Sequence, residues 1–182
     1  MRKIIHVSRL LKWTVIAICL ALPLIEAGYW ITNGYPFLKP IFHPADLPKF
    51  GTRVIGWTDL NEVQKLLGFL INLLPLAFSM AALIYLSQLF GAFERLKLFE
   101  KKNVQILKRA GWTLVWGQII YPLYIAGLSL ALTYRNPIGQ RNISIGIGPH
   151  QIEILAIGLS ILLASWIFEE AAKIQEEQAG TV

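Results

Sequence analysis

The stretch Phe90 to Gly111, FGAFERLKLFEKKNVQILKRAG, lies between two long apolar runs and carries Arg95, Lys97, Lys101, Lys102, Lys108 and Arg109. A basic island between membrane-length apolar segments stays on the cytoplasmic side, so it fixes how the rest of the chain is threaded. Composition agrees with a bilayer as the solvent. Of 182 residues, 55% are hydrophobic and 15% are charged, with a mean hydropathy of +0.53; soluble domains carry about 25% charged residues. The expected fold is an all-α membrane protein with four transmembrane helices, forming a single domain over residues 1–182.

The net charge of +6 raises the question of nucleic acid. The basic residues sit in short segments beside apolar runs, where membrane orientation accounts for them, so no direct nucleic-acid partner is expected. Cys19 is the only cysteine and lies inside an apolar run, which excludes an intrachain disulfide. No Cys/His cluster has metal-ligand spacing, so neither a metal site nor a cofactor is expected.

In chain order, Arg2, Lys3, Arg9 and Lys12 precede the first span, about 13–31. A basic start before an apolar run also describes a secretory leader. The run is long enough to span, ends in the aromatic pair Tyr29-Trp30 and is followed by no small-residue cleavage pattern, so an uncleaved anchor is expected. Residues 32–65 form the first outer loop. There Pro36, Pro40, Pro44 and Pro48 exclude a continuous helix, since each lacks an N–H and clashes with the preceding turn. Interleaved aromatics (Tyr35, Phe37, Phe42, Phe50, Trp57) suit a segment lying on the membrane face, and His43 alone supports no metal site.

The second helix is expected to be capped by Thr58 or Asp59, with Glu62 in capping-box spacing from Asp59. Its span covers about 66–90, with a kink at Pro75, and helical propensity continues to about Leu98. That gives about 55–60 Å, more than a hydrocarbon core of about 30 Å, so helix two should extend into the cytoplasm. The cytoplasmic elbow covers 91–111, with a turn near Leu98 to Lys102. The third span, about 112–132, contains Pro122. The second outer loop, 133–151, is rich in Gly, Asn and Pro and contains the weak sequon Asn142-Ile-Ser. Pro149 suits the first helical position of the last helix. That helix spans the membrane over about 152–168 and should also extend into the cytoplasm, stopping at Gly180. Both termini are then cytoplasmic, which leaves Lys39, Lys49, Arg53, Lys65, Arg135 and Arg141 outside.

Three polar residues inside spans are candidates for function: Glu26, Asn72 and Gln118. A charge at the bilayer centre costs about 2.5–3.5 kcal/mol on insertion scales, which makes an intramembrane carboxylate a functional hypothesis by default. Against it, Glu26 lies near the aromatic boundary, where snorkelling or neutral hydrogen bonding suffices. For Asn72, Ser79, Gln118 and Ser129 the simpler expectation is interhelical hydrogen bonding. Ala156, Ser160 and Ala164 form a small-xxx-small stripe that permits close helix approach, within the chain or across a homo-oligomer. No Ser/His/Asp set, paired membrane carboxylates, HExxH or phosphate loop is present. The chain is not expected to be an enzyme.

Two segments, LFGAFERLKLFEKKNVQILKRAGW and ILAIGLSILLASWIFEEAAKIQEEQAGTV, resemble the bacterial DUF2975 membrane proteins. The shared features are a Phe-rich end to the second span, a Phe-x-x-x-Asn turn matched by Phe99 and Asn103, a Leu-Lys-Arg-x-Gly start to the third, and an acidic tail matched by Glu170 to Glu177. Leu96 stands where members often carry glycine. The resemblance covers the second half of the chain and implies a bacterial inner-membrane location. That family has no established activity, and its genes often neighbour a helix-turn-helix regulator, so what is implied is membrane-linked regulation. The preferred expectation is a non-enzymatic protein that meets a cytosolic regulator or membrane partner. The surface would comprise Arg95, Lys97, Lys101, Lys102, Glu169, Glu170, Glu176 and Glu177. The alternative is a channel or transporter component with Glu26, Asn72 and Gln118 along a polar path.

Overall fold

The computed structural model describes residues 2–34, 57–95 and 100–179, among which every regular element is helical. These are α1 (Arg2–Ile31), a 3₁₀ turn (Trp57–Asp59), α2 (Glu62–Glu94), α3 (Lys101–Thr133) and α4 (Pro149–Ala179). All four α-helices are long and apolar enough to cross a membrane. The proline-rich segment 35–56 and the turn residues Lys97 and Phe99 lie outside the described residues.

The helix ends follow from local chemistry. α1 already begins at Arg2, so the basic N-terminal segment is helical and runs straight into the span. It stops in a Schellman turn. Asn33 takes a positive φ of 56°, and the Gly34 N–H donates to the Tyr29 carbonyl at 2.9 Å, which satisfies a carbonyl the helix leaves open. Gly34 itself has a φ of 84°, and a Cβ there would lie 2.6 Å from Trp57 Nε1. Only glycine fits that position.

α2 is not capped by Thr58 or Asp59. The Gln64 N–H donates to Asn61 Oδ1 at 2.8 Å, and the Asn61 N–H donates to Gln64 Oε1 at 3.2 Å. This reciprocal pair is a capping box shifted two residues along, because Asp59 is taken up in the 3₁₀ turn. α2 ends at Glu94 rather than near Leu98, and α3 starts at Lys101, inside the expected turn. At 33 residues, α2 is still about 50 Å long, well beyond a hydrocarbon core. Pro149 does open α4, and the helix runs to Ala179.

The chain divides into two compact units. The first comprises Met1–Leu20, Phe78–Ile119 and Gly148–Val182; the second comprises Ala21–Ala77 and Ile120–Ile147. In the first unit α3 and α4 cross where two glycines face each other. A Cβ on Gly111 would lie 2.8 Å from Leu162 Cγ and 3.1 Å from the Gly158 carbonyl oxygen, and one on Gly158 would lie 3.1 Å from Leu114 Cβ. Leu162 and Ser165 are buried at this crossing, and the Ser165 hydroxyl donates to the Leu162 carbonyl at 2.7 Å. The crossing is therefore not made by Ala156, Ser160 and Ala164. Those residues line an open apolar groove of about 530 Å³ with Leu89, Phe93 and Val104. Gly111→Ala sets a helix-propensity gain of about 1 kcal/mol against overpacking of about 1–3 kcal/mol. Because the backbone oxygen of Gly158 cannot yield as a side chain would, a net loss of about 1 kcal/mol is expected. Unfolding in mixed micelles measures it, and an unchanged or higher stability would mean the crossing is slack.

The second unit is built on a cluster of Trp30, Leu60, Leu128 and Leu132, with Tyr29, Trp57 and Phe69 against it. Trp30 is only 5% exposed, so it is a core residue and not the interfacial anchor its position suggested. The reason is Gly68, whose missing Cβ leaves the notch that the indole fills. Ser129 also departs from the interhelical expectation. Its hydroxyl donates to the Ala126 carbonyl of its own helix and accepts from the Ser144 N–H. Thr133 similarly accepts from the Asn142 N–H, so the end of α3 pins the segment that follows it.

Candidate functional site

Three rungs, each one helical turn from the next, cross the second unit. Residues four apart share a helix face, so positions 26 and 30 of α1, 64, 68 and 72 of α2, and 124, 128 and 132 of α3 align. The first rung is the Gln64 amide, buried, donating to the Leu132 carbonyl at 2.8 Å. The second is Trp30 over Gly68, beside Leu128. The third is polar and consists of Glu26, Asn72 and Tyr124.

In that rung Glu26 Oε1 accepts from Asn72 Nδ2 at 2.6 Å and from Trp30 Nε1 at 2.8 Å. The Tyr124 hydroxyl donates to Asn72 Oδ1. The amide orientation follows from chemistry. Glu26 Oε1 accepts from the donor-only indole of Trp30 and from the nitrogen of Asn72; the amide oxygen then faces Tyr124, which donates. Three helices are thus tied by one half-buried network in which each donor points towards the carboxylate. Among the described residues no buried side-chain N or O atom lacks a hydrogen-bond partner. The arrangement holds a carboxyl group inside a span through dipoles, without a cation in the network. Sequence reasoning identified Glu26 and Asn72 and missed Trp30 and Tyr124. Gln118 belongs to the first unit.

Of the charged residues expected to form a partner surface, Arg95, Lys101, Lys102, Glu169 and Glu170 lie in the first unit. Arg95, Lys101 and Lys102 are exposed. Glu169 meets Lys108 across α3 and α4 at 3.4 Å, while Glu170 pairs with Lys173 on its own helix at 3.1 Å. Lys97 and the side chains of Glu176 and Glu177 lie outside the described residues. The best ion pair was not expected. Glu94, the acid within the basic island, accepts from Arg9 at 2.7 Å and has Lys12 at 3.6 Å, so the N-terminal basic segment is tied to the end of α2. Both partners of the Lys108–Glu169 pair are partly exposed, which limits its contribution to about 0–1 kcal/mol. Among the described residues no three His, Cys, Asp or Glu side chains gather as a metal ion would require.

Large apolar side chains point outward from all four helices, among them Leu24, Ile31, Leu123, Ile157 and Leu163. In water such a surface would drive aggregation; in lipid it is the expected exterior. With four helices of spanning length, the chain is a multi-pass, all-helical membrane protein. The family described as "protein of unknown function (DUF2975)" matches residues 16–182, and the chain belongs to it. The match covers nearly the whole chain, not only the second half where the motifs lie. No curated protein and no solved structure matches.

Proposed function

We propose that this chain is a non-enzymatic protein of the bacterial cytoplasmic membrane, with both termini in the cytoplasm, that presents the charged end of its first unit to a protein partner. The partner is a cytosolic regulator or another membrane protein. The observation that carries this reading is the gathering of ionic side chains from all four helices in that unit. Arg9 and Lys12 pair with Glu94, and Lys108 pairs with Glu169. Arg95, Lys101, Lys102 and Arg109 are exposed in the same unit. The internal pairs fix the helix ends, and the exposed cations supply charge that steers and selects an acidic surface.

Photocrosslinking residues placed at Lys102 and Glu170 in living cells test the reading. One discrete protein adduct is expected at both sites, lost when Lys101 and Lys102 are changed to Glu. Normal abundance of the protein with no adduct would overturn it, as would a reporter fused after Lys102 that proved extracellular.

A second reading, a conduit component, is favoured only by the meeting of Glu26 and Asn72. It is the weaker one, because a single polar rung in one unit is accounted for by tying three helices together. Unchanged ion or solute flux in Glu26→Gln vesicles removes it.

A further inference from the structure

We propose that the groove where α1 ends and α2 begins binds one zwitterionic glycerophospholipid of the phosphatidylethanolamine class. The groove measures about 440 Å³ and has an apolar floor of Ala27, Trp30, Leu66 and Phe69, with Glu62 and Lys65 at its rim. Its walls continue into exposed apolar surface, where Ile31 is 79% exposed and Leu66 57%. Trp30 in its floor packs edge to face against the half-buried Tyr29 and Trp57. Aromatic side chains of this kind favour the boundary between headgroups and acyl chains. Floor and rim therefore match the two ends of an amphiphile.

The rim selects among amphiphiles by charge. Lys65 Nζ lies 3.0 Å from Glu62 Oε1, with the lysine side chain 18% exposed and the glutamate 91% exposed. The ammonium is thus held at the groove while the carboxylate stands out beside it. A lipid phosphate placed at the groove mouth accepts from Lys65, and the lipid's own ammonium then meets Glu62. Each charge finds its opposite. An anionic headgroup satisfies Lys65 but sets its phosphate beside Glu62 with nothing to balance the carboxylate. Loosening the existing pair costs little, since its glutamate is 91% exposed and ion pairs open to solvent contribute about 0–1 kcal/mol.

The test is native mass spectrometry of the delipidated protein in detergent, titrated with phosphatidylethanolamine or phosphatidylglycerol of matched chains. One phosphatidylethanolamine per chain is expected to bind in preference to phosphatidylglycerol. Lys65→Gln should weaken both lipids by about tenfold, the loss that follows removal of a hydrogen bond to a charged group. Glu62→Gln, at a site exposed enough to leave folding intact, should abolish the preference while binding persists. Equal affinity for the two lipids in the unaltered protein, a preference that survives Glu62→Gln, or no retained lipid would each overturn the proposal.

Discussion

Gly68→Leu is expected to lower stability by about 3 kcal/mol, at the upper end of overpacking penalties. The position has no slack. A Cβ there would fall 2.1 Å from Cη2 of Trp30 and 2.5 Å from Cζ3, so the indole must leave before any larger side chain is seated. Trp30 cannot leave cheaply, because it is packed with Leu60, Leu128 and Leu132 and its N–H is held by Glu26. Removing a buried tryptophan costs about 3–5 kcal/mol in soluble cores. In lipid the apolar transfer part of that cost is smaller, and the lost van der Waals packing remains. A double-mutant cycle separates the two sources. If the clash with the indole is what matters, Gly68→Leu in a Trp30→Ala background should cost well under half of its cost alone. Equal costs in the two backgrounds would mean that α2 is weakened for a reason unrelated to Trp30.

The notch at Gly68 also shows which parts of the structure could be read from residues in order. Spans are legible because the bilayer imposes a length and an apolar character that any window of sequence displays. Pro149 was readable as a helix start for a similarly local reason, since a missing N–H is harmless at that position. The start of α2 carries two competing local signals. Asp59 with Glu62 and Asn61 with Gln64 both have capping-box spacing, and only the 3₁₀ turn at Trp57–Asp59 decides between them. Helix faces are a harder matter. Ala156, Ser160 and Ala164 advertise a close approach by their spacing, whereas the close approach of α3 and α4 within the chain is made by Gly111 and Gly158, single glycines on different helices. Nothing in either helix alone marks that pairing. The polar rung is intermediate: Glu26 and Asn72 stand out as polar residues in apolar runs, but Tyr124 looks like any tyrosine until the rotation of α3 is known.

The same rung yields the second large effect. Asn72→Leu is expected to cost about 2–3 kcal/mol, and Tyr124→Phe no more than about 1 kcal/mol. A hydrogen bond between membrane helices averages about 0.6 kcal/mol, because the separated helices find other partners. Counting bonds would therefore predict a small loss for both variants. The variants differ in what they strand. Tyr124→Phe removes a donor and leaves one amide oxygen of Asn72 without it. Asn72→Leu removes the hub: Glu26 Oε1 keeps only Trp30, and the Tyr124 hydroxyl loses its acceptor. Leaving the half-buried Tyr124 hydroxyl without a partner costs about 1–3 kcal/mol before relaxation, and Glu26 gives up one of its two donors as well, so stranding outweighs the bond count. Asn72→Asp is the sharper comparison. It keeps the size of the side chain and the acceptor for Tyr124, but replaces the donor to Glu26 with a second carboxyl group. Two carboxylates cannot share that contact unless one carries a proton, so the variant should be stable at acidic pH and lose stability as the pH rises. Unfolding midpoints in mixed micelles across pH 5 to 8 measure this. A flat profile for Asn72→Asp would show that the two side chains do not meet in the membrane, and the three-helix network would have to be abandoned.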